Sequence, residues 1–134
     1  MRRVLDRLML SSLSEANDPF FLQRHEVQAI LHFGDGGMFD EEIKLYHRPV
    51  PENASLDPEM LKDGITFLKE SLAAGRRVLA VGSTGATIVA AYLTEMGFSG
   101  AQALQLVSEE QAADDGVVDS YAEKLEERSR IKLH

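Results

Sequence analysis

The segment RVLAVGSTGATIVAAYLTEMG, at positions 77–97, constrains the fold more than any other part of the chain. It opens with a continuous run of valine and leucine, RVLAV, which is typical of a strand buried on both faces. The later part, ATIVAAYLTEM, predicts a helix that is apolar on most sides and that ends at Gly97. Because such a helix must lie in the core, the segment predicts an α/β protein.

Three other apolar runs predict further strands. They are VLDRLML at 4–10, QAILHF at 28–33 and IKLYHRPVP at 43–51. The last of these is expected to end at Pro49 and Pro51, because proline has no N–H group to donate to a sheet.

Two helices are predicted from their first residues. Asp18 followed by Pro19 is a favourable start, since aspartate caps a helix and proline fits its first position. Asp57 and Pro58 form the same pair at the start of a longer helix. We expect Gly75 to end this second helix in the left-handed conformation.

The end of the chain predicts two more helices. Ser99 and Gln102 have the spacing of a capping box, and DSYAEKLEERSRIKL at 119–133 predicts a final helix. No repeat or linker interrupts the sequence, which therefore predicts a single domain over residues 1–134. The predicted fold class is α/β, with a small, mostly parallel sheet and helices on both faces.

The charge of the chain argues against two classes of partner. Its 22 acidic and 14 basic residues give a formal net charge of −8. Nucleic acids and anionic membranes are bound by clustered basic residues, and no such cluster is present, so neither is an expected partner. The apolar run nearest the N-terminus is interrupted by Asp6 and Arg7, so it predicts neither a signal peptide nor a membrane span. A cytoplasmic location is the expectation that follows.

The sequence contains no cysteine. It therefore has no disulfide, no thiolate metal ligand and no cysteine nucleophile. His25, His32 and His134 lack the spacing of a metal site with each other or with paired carboxylates. We predict no metal and no cofactor.

The glycine turn between the strand and the helix is the first candidate site, formed by Gly82, Ser83, Thr84, Gly85 and Ala86. A strand that enters a helix through glycines directs several backbone N–H groups and the helix dipole at one point, where an oxyanion can bind. The turn is neither a Walker A loop nor the three-glycine dinucleotide fingerprint. The alternative is an ordinary tight connection in which Ser83 or Thr84 caps the helix.

Three segments together resemble a known family. VLDRLMLSSLSEANDPFFLQRHEVQAILHFGD at 4–35 is similar to the opening strand, helix and second strand of dual-specificity phosphatases. LYHRPVPENASLDPEMLKDGITFLKESLAAGRRVL at 45–79 is similar to their general-acid loop and the helix that follows. ATIVAAYLTEMGFSGAQALQLV at 86–107 is similar to the helix behind the catalytic loop and its successor. The resemblance covers residues 4–125 and implies the fold of the cysteine-dependent protein tyrosine phosphatases.

The catalytic signature of that family, H-C-x-x-G-x-x-R-S/T, is missing where the resemblance implies it. Counted forward from the strand, Val81 and Gly82 take the His and Cys positions; counted back from the helix, Thr84 and Gly85 take the Arg and Ser/Thr positions. The two alignments differ by four residues, so we predict a loop that is shortened as well as substituted. Neither the thiolate nor the phosphate-binding guanidinium of the family mechanism is present.

Glu52 is the second candidate site residue. The resemblance implies a general acid after the third strand, and Glu52 stands at that position, thirty residues before Gly82. A carboxyl group there can protonate a leaving group. The alternative is that Glu52 is a carboxylate of a surface loop.

Three functions are compatible with these residues. The leading prediction is a catalytically silent phosphatase-like domain that binds a phosphorylated protein, a small anion or a protein partner. The second is a hydrolase with a remodelled site that uses Glu52 with Ser83, Thr84 or a water. The third is a structural or oligomeric scaffold without a ligand, which a closed turn without a pocket beside Gly82 would favour. The sequence leaves the oligomeric state open.

Overall fold

The computed structural model describes residues 2–33, 43–48, 58–108 and 115–132. Five strands in this part of the chain form one sheet in the order β1-β2-β5-β3-β4. The strands are β1 (Arg2–Leu5), β2 (Leu8–Ser11), β3 (Ala29–Phe33), β4 (Lys44–Arg48) and β5 (Val78–Val81). The helices are α1 (Leu13–Ala16), α2 (Pro19–Arg24), α3 (Pro58–Ala73), α4 (Gly82–Glu95), α5 (Gly100–Ser108) and α6 (Asp115–Lys132).

The sheet is mostly parallel, as predicted. β5 lies between β2 and β3 and pairs with both in parallel, and β4 extends the sheet in parallel beside β3. β1 pairs with β2 antiparallel. The prediction of one strand over 4–10 is therefore wrong: the exposed pair Asp6 and Arg7 forms a turn between β1 and β2. Two charged residues interrupt the apolar run, and the chain reverses there rather than placing them in a buried strand.

Helices cover both faces of the sheet, which confirms the predicted fold class. On one face, Met9, Ile30 and Leu79 form a core cluster with residues of α1 and α2. On the other face, a larger cluster joins the sheet to α3, α4, α5 and α6. β5 contributes to both clusters, as its all-apolar sequence predicts.

Most of the predicted helix ends are confirmed. The carboxylate of Asp18 accepts a hydrogen bond from the Phe20 N–H at 2.9 Å, at the start of α2. Gly75 ends α3 with φ +80°, a conformation that costs glycine little. Ser99 and Gln102 exchange hydrogen bonds of 3.0 and 3.1 Å at the start of α5. Asp57 lies outside the described residues.

Two predicted helix starts and one missing helix need correction. α6 begins at Asp115, four residues before the predicted start, and the added turn buries Val118 completely. α1 was not predicted, although Ser12 and Glu15 have the spacing of a capping box. α4 begins at Gly82 and not at Ala86. Within the described residues, no helix combines the length and the apolar character needed to cross a membrane.

Candidate functional site

The carboxyl edge of the central strands is where ligands bind in open α/β sheets. At this edge β2 ends with Ser11 and β5 ends with Val81, and these two residues are paired in register. α4 follows β5 with no residue between them, since Val81 is the last residue of the strand and Gly82 the first of the helix. The predicted glycine turn is therefore the first turn of α4.

Gly82 makes this abrupt junction possible. Val81 has an extended backbone and acts as N-cap, and Gly82 has φ +71°. A residue with a side chain is strained at such an angle, so glycine lets the chain change direction within one residue. This explains why α4 begins four residues earlier than predicted. The alternative role of Ser83 or Thr84 as the helix cap is not found, because Val81 is the N-cap and no side chain caps this helix.

The residues of the predicted anion site differ in solvent exposure. Ser83 is exposed, Gly82 and Thr84 are half-buried, and Gly85 and Ala86 are buried. The first N–H groups of any helix lack partners within the helix and carry partial positive charge. An anion at this end would therefore approach the backbone of Gly82, Ser83 and Thr84.

Gly85 has a packing role in this turn. A Cβ atom at Gly85 would lie 3.1 Å from the carbonyl carbon and 3.3 Å from the Cβ of Ala80 in β5. Ala80 is completely buried in the central strand, so it has no room to move away. The helix and the strand therefore approach each other closely because position 85 has no side chain.

Polar groups at the end of β2 are engaged in local structure. The hydroxyl of the buried Ser11 donates a hydrogen bond of 3.1 Å to the Ser12 carbonyl. The Ser12 hydroxyl accepts from the Glu15 N–H at 3.2 Å, and the Glu15 carboxylate accepts from the Ser12 N–H at 3.2 Å. Burial acts to raise the pKa of Glu15, but hydrogen bonds to its carboxylate, including that from Ser12, bring it below its ordinary value.

His32 also lies near this edge, although its spacing in the sequence indicates no site. It is the penultimate residue of β3, one position beyond the pair Leu31–Ala80, and only 3% of it is exposed. Since side chains alternate along a strand, His32 shares the face of Ile30, which α1 and α2 cover. The signal available in the sequence was a single imidazole in an apolar strand. Among the described residues, no group of three potential metal ligands comes together.

Glu52 lies outside the described residues, so its role as general acid stays a prediction. The structure places the neighbouring strand β4 beside β3 in parallel, with His47 paired to His32. The segment with Glu52 follows β4 in the sequence.

A concave surface lies away from the glycine turn. It is a groove of about 720 Å³ between α3 and α6, called here the α3–α6 groove. This volume is in the range typical of ligand sites. None of the predicted anion-site residues, 82–86, lines it. The groove is lined by Pro58, Leu61, Lys62, Ile65, Thr66, Lys69, Glu95, Gly116, Val117, Ser120, Tyr121 and Lys124.

Solved structures of known proteins share this arrangement of strands and helices. The crystal structure of human DUSP28 matches with a TM-score of 0.80 and 22% sequence identity, over 94% of this chain and 98% of that chain. The chain has the dual-specificity phosphatase fold. The resemblance seen in the sequence is thereby confirmed at the level of the fold.

Two further structures have the dual-specificity phosphatase fold in common with this chain. Human tyrosine phosphatase-like serine/threonine/tyrosine-interacting protein matches with a TM-score of 0.77 and 20% identity, over 98% of this chain and 97% of that chain. A mouse putative dual specificity phosphatase complexed with zinc tungstate matches with a TM-score of 0.79 and 18% identity, over 95% and 89%. No protein-family model and no curated protein matches the sequence.

Proposed function

We propose that this chain is a catalytically silent, phosphatase-like binding domain. One observation carries the proposal: β5 passes directly into α4 at Val81 and Gly82, without an intervening loop. In the phosphatase family that the sequence resembles, the loop between these two elements supplies the nucleophile and the phosphate clamp. A junction without loop residues has no place for either group.

The chemistry of the residues present supports the same proposal. Phosphate transfer through a phosphocysteine needs a thiolate, and the sequence has no cysteine. The first turn of α4 also has no arginine or lysine to follow the charge of a transferring phosphoryl group. Ser83 is exposed at this position, but a serine hydroxyl is a weak nucleophile unless an adjacent base activates it.

The proposed ligand is a phosphorylated protein or a small anion, held by the first turn of α4. Gly82, Ser83 and Thr84 would offer backbone N–H groups to its oxygens, and the helix dipole would favour its negative charge. Gly85 and Ala86 would contribute only through their backbone, since both are buried. The proposal includes a cytoplasmic location, as expected from the sequence.

Hydrolysis of an aryl phosphate tests catalytic silence. We expect purified protein to show no turnover above background between about pH 5 and about pH 8, while an active dual-specificity phosphatase measured in parallel is fast. Turnover that persists through repurification and is abolished by Glu52→Gln would overturn the proposal. That result would support the remodelled hydrolase.

Tungstate binding tests the proposed anion site. Tungstate is a suitable probe because it has the shape of phosphate and is present in the mouse phosphatase structure. We expect it to shift the amide NMR signals of Gly82, Ser83 and Thr84. Ser83→Pro removes one N–H donor at a helix position that tolerates proline, so it is expected to weaken binding several-fold.

The matched control is Ser83→Ala, which keeps the N–H group and removes the hydroxyl. Equal weakening in both variants would assign the contact to the side chain. An absence of any tungstate-induced shift in the first turn of α4 would contradict the anion site and leave a scaffold without this ligand.

A further inference from the structure

Glu95, the last residue of α4, joins the two walls of the α3–α6 groove. Its carboxylate forms an ion pair of 2.6 Å with Lys69 of α3 and accepts a hydrogen bond from the Tyr121 hydroxyl of α6. α3 and α6 also both pack on α4 through the main core. The two walls of the groove are therefore attached to the same residue and to the same central helix, with a trough left between them.

The shape of the trough suits a third helix. The lining residues of α3 recur every three or four positions from Pro58 to Lys69, which is one helix face about 16 Å long. Those of α6 extend from Gly116 to Lys124, about 12 Å. Two helical walls of this length accommodate two to three turns of another helix, in the helix-in-groove mode of peptide recognition.

The groove has an apolar interior. Leu61 and Ile65 of α3 are buried and line one wall of the groove. Val117 of α6 is half-buried and lines the other wall. Leu61 and Ile65 are only 8% and 4% exposed, so the half-buried Val117 and Tyr121 and the methylene stems of the exposed lysines offer most of the apolar surface that a docked helix would cover.

The charges of the groove favour an acidic occupant. Lys62 of α3 and Lys124 of α6 are exposed and line the groove, although the protein as a whole has a net charge of −8. Among the described residues that line the groove, Glu95 is the one carboxylate, and it is already bonded to Lys69 and Tyr121. Acidic residues of the same two helices, such as Asp63 and Glu123, do not line the groove, so a docked ligand would meet the lysine side chains first.

We propose that the α3–α6 groove binds an acidic amphipathic helix of a partner protein. The apolar stripe of that helix would cover Leu61, Ile65 and Val117, and glutamates or aspartates beside the stripe would face Lys62 and Lys124. Two lysines around an apolar floor do not form the extended basic track that nucleic acid requires. The groove shares no residue with the first turn of α4, so this proposal stands independently of the anion site.

Fluorescent peptides of about 14 residues test the proposal. A panel carries Leu, Ile, Phe or Met at positions i, i+3, i+4 and i+7, and each member exists in two forms, with Glu or with Lys beside the apolar stripe. We expect at least one glutamate peptide to bind the full chain with a dissociation constant below about 100 µM, and its lysine form to bind at least about tenfold more weakly. Anisotropy at about 0.15 M salt measures both.

Charge reversal locates the binding surface. Lys62→Glu combined with Lys124→Glu is expected to weaken the glutamate peptide by about tenfold or more and to strengthen its lysine form. The matched control combines Arg3→Glu with Arg24→Glu, two exposed residues of β1 and α2, which change the net charge equally. The control is expected to leave the preference intact.

A steric variant tests binding in the groove without changing any charge. Ser120 is exposed and lines the groove, so Ser120→Trp fills the trough without disturbing the core. We expect it to weaken the glutamate peptide about tenfold while circular dichroism stays unchanged.

Several outcomes would overturn the docking proposal. They are equal binding of the glutamate and lysine forms, no glutamate peptide binding below about 100 µM, or amide shifts that map to Gly82–Thr84 instead of the groove. If no peptide of the panel binds and dodecyl sulfate binds in the groove, the occupant is a small amphiphile and the proposal is wrong. Each of these results leaves the hydrolysis and tungstate experiments unaffected.

Discussion

Gly85→Val is expected to lower the free energy of unfolding by about 3 kcal/mol, at the upper end of the usual cost of overpacking. The Cβ atom alone would lie 3.1 Å from the carbonyl carbon of Ala80, and valine adds two methyl groups beyond it. Ala80 belongs to a strand paired on both sides, so relief requires α4 to move away from the sheet. Urea unfolding measures the effect as a lower midpoint with an unchanged slope.

The matched control for this variant is Ser83→Val, two residues earlier in the same helix. Ser83 is exposed, and a substitution there is expected to change stability by less than about 0.5 kcal/mol. Equal midpoints for Gly85→Val and the native chain would contradict the close approach of α4 to β5. Amide spectra of Gly85→Val are also expected to show shifted signals in the first turn of α4, since that turn must be displaced.

Gly64 and Ile88 are expected to behave as a coupled pair where α3 crosses α4. A Cβ atom at Gly64 would lie 2.6 Å from the Cδ1 of Ile88, which is completely buried. Gly64→Val is therefore expected to cost about 2 kcal/mol through overpacking, and Ile88→Ala about 3 kcal/mol through the cavity that it leaves. In the double variant the valine methyl groups occupy part of that cavity.

The double-mutant cycle measures this coupling. We expect the combined loss of stability to be smaller than the sum of the single losses by at least about 1 kcal/mol, which is a typical value for residues in contact. Additive losses would mean that Gly64 and Ile88 do not share the same space. Leu13→Ala, on the opposite face of the sheet, serves as an exposed control that is expected to be additive with either variant.

The two proposed binding surfaces use different parts of the same fold. The first turn of α4 is at the carboxyl edge of the sheet, where this class of fold usually binds ligands. The α3–α6 groove is formed by the helical layer and reaches Glu95 at the opposite end of α4. The two proposals therefore concern an anionic group and a helical segment at sites that share no residue.

Local chemistry made several features predictable. The Asp18–Pro19 pair, the capping box of Ser99 and Gln102, and Gly75 each act through neighbours a few residues away. Such signals depend little on the rest of the structure, so their predicted roles are confirmed. The missed helix α1 had the same kind of signal in Ser12 and Glu15, and attention to that spacing would have found it.

Features that depend on distant contacts were predicted less well. Two glycines and two hydroxyl residues at 82–85 predict a turn, which places the start of α4 at Ala86. In the folded chain, Gly85 packs on Ala80 and Gly82 adopts a left-handed backbone, so the helix begins immediately after the strand. The packing of the helix against the sheet decides this boundary, and no pattern of neighbouring residues reveals it.

The sequence by itself determined the fold class and the absence of a thiolate for phosphatase chemistry. An apolar strand followed by an apolar helix requires a buried α/β arrangement, and a chain without cysteine has no thiolate to offer. Only the tertiary structure decided that β5 lies between β2 and β3, and that Glu95 joins α3 to α6 across an open groove. These features arise from contacts between residues far apart in the sequence, where the free energy of packing, and not local preference, selects the arrangement.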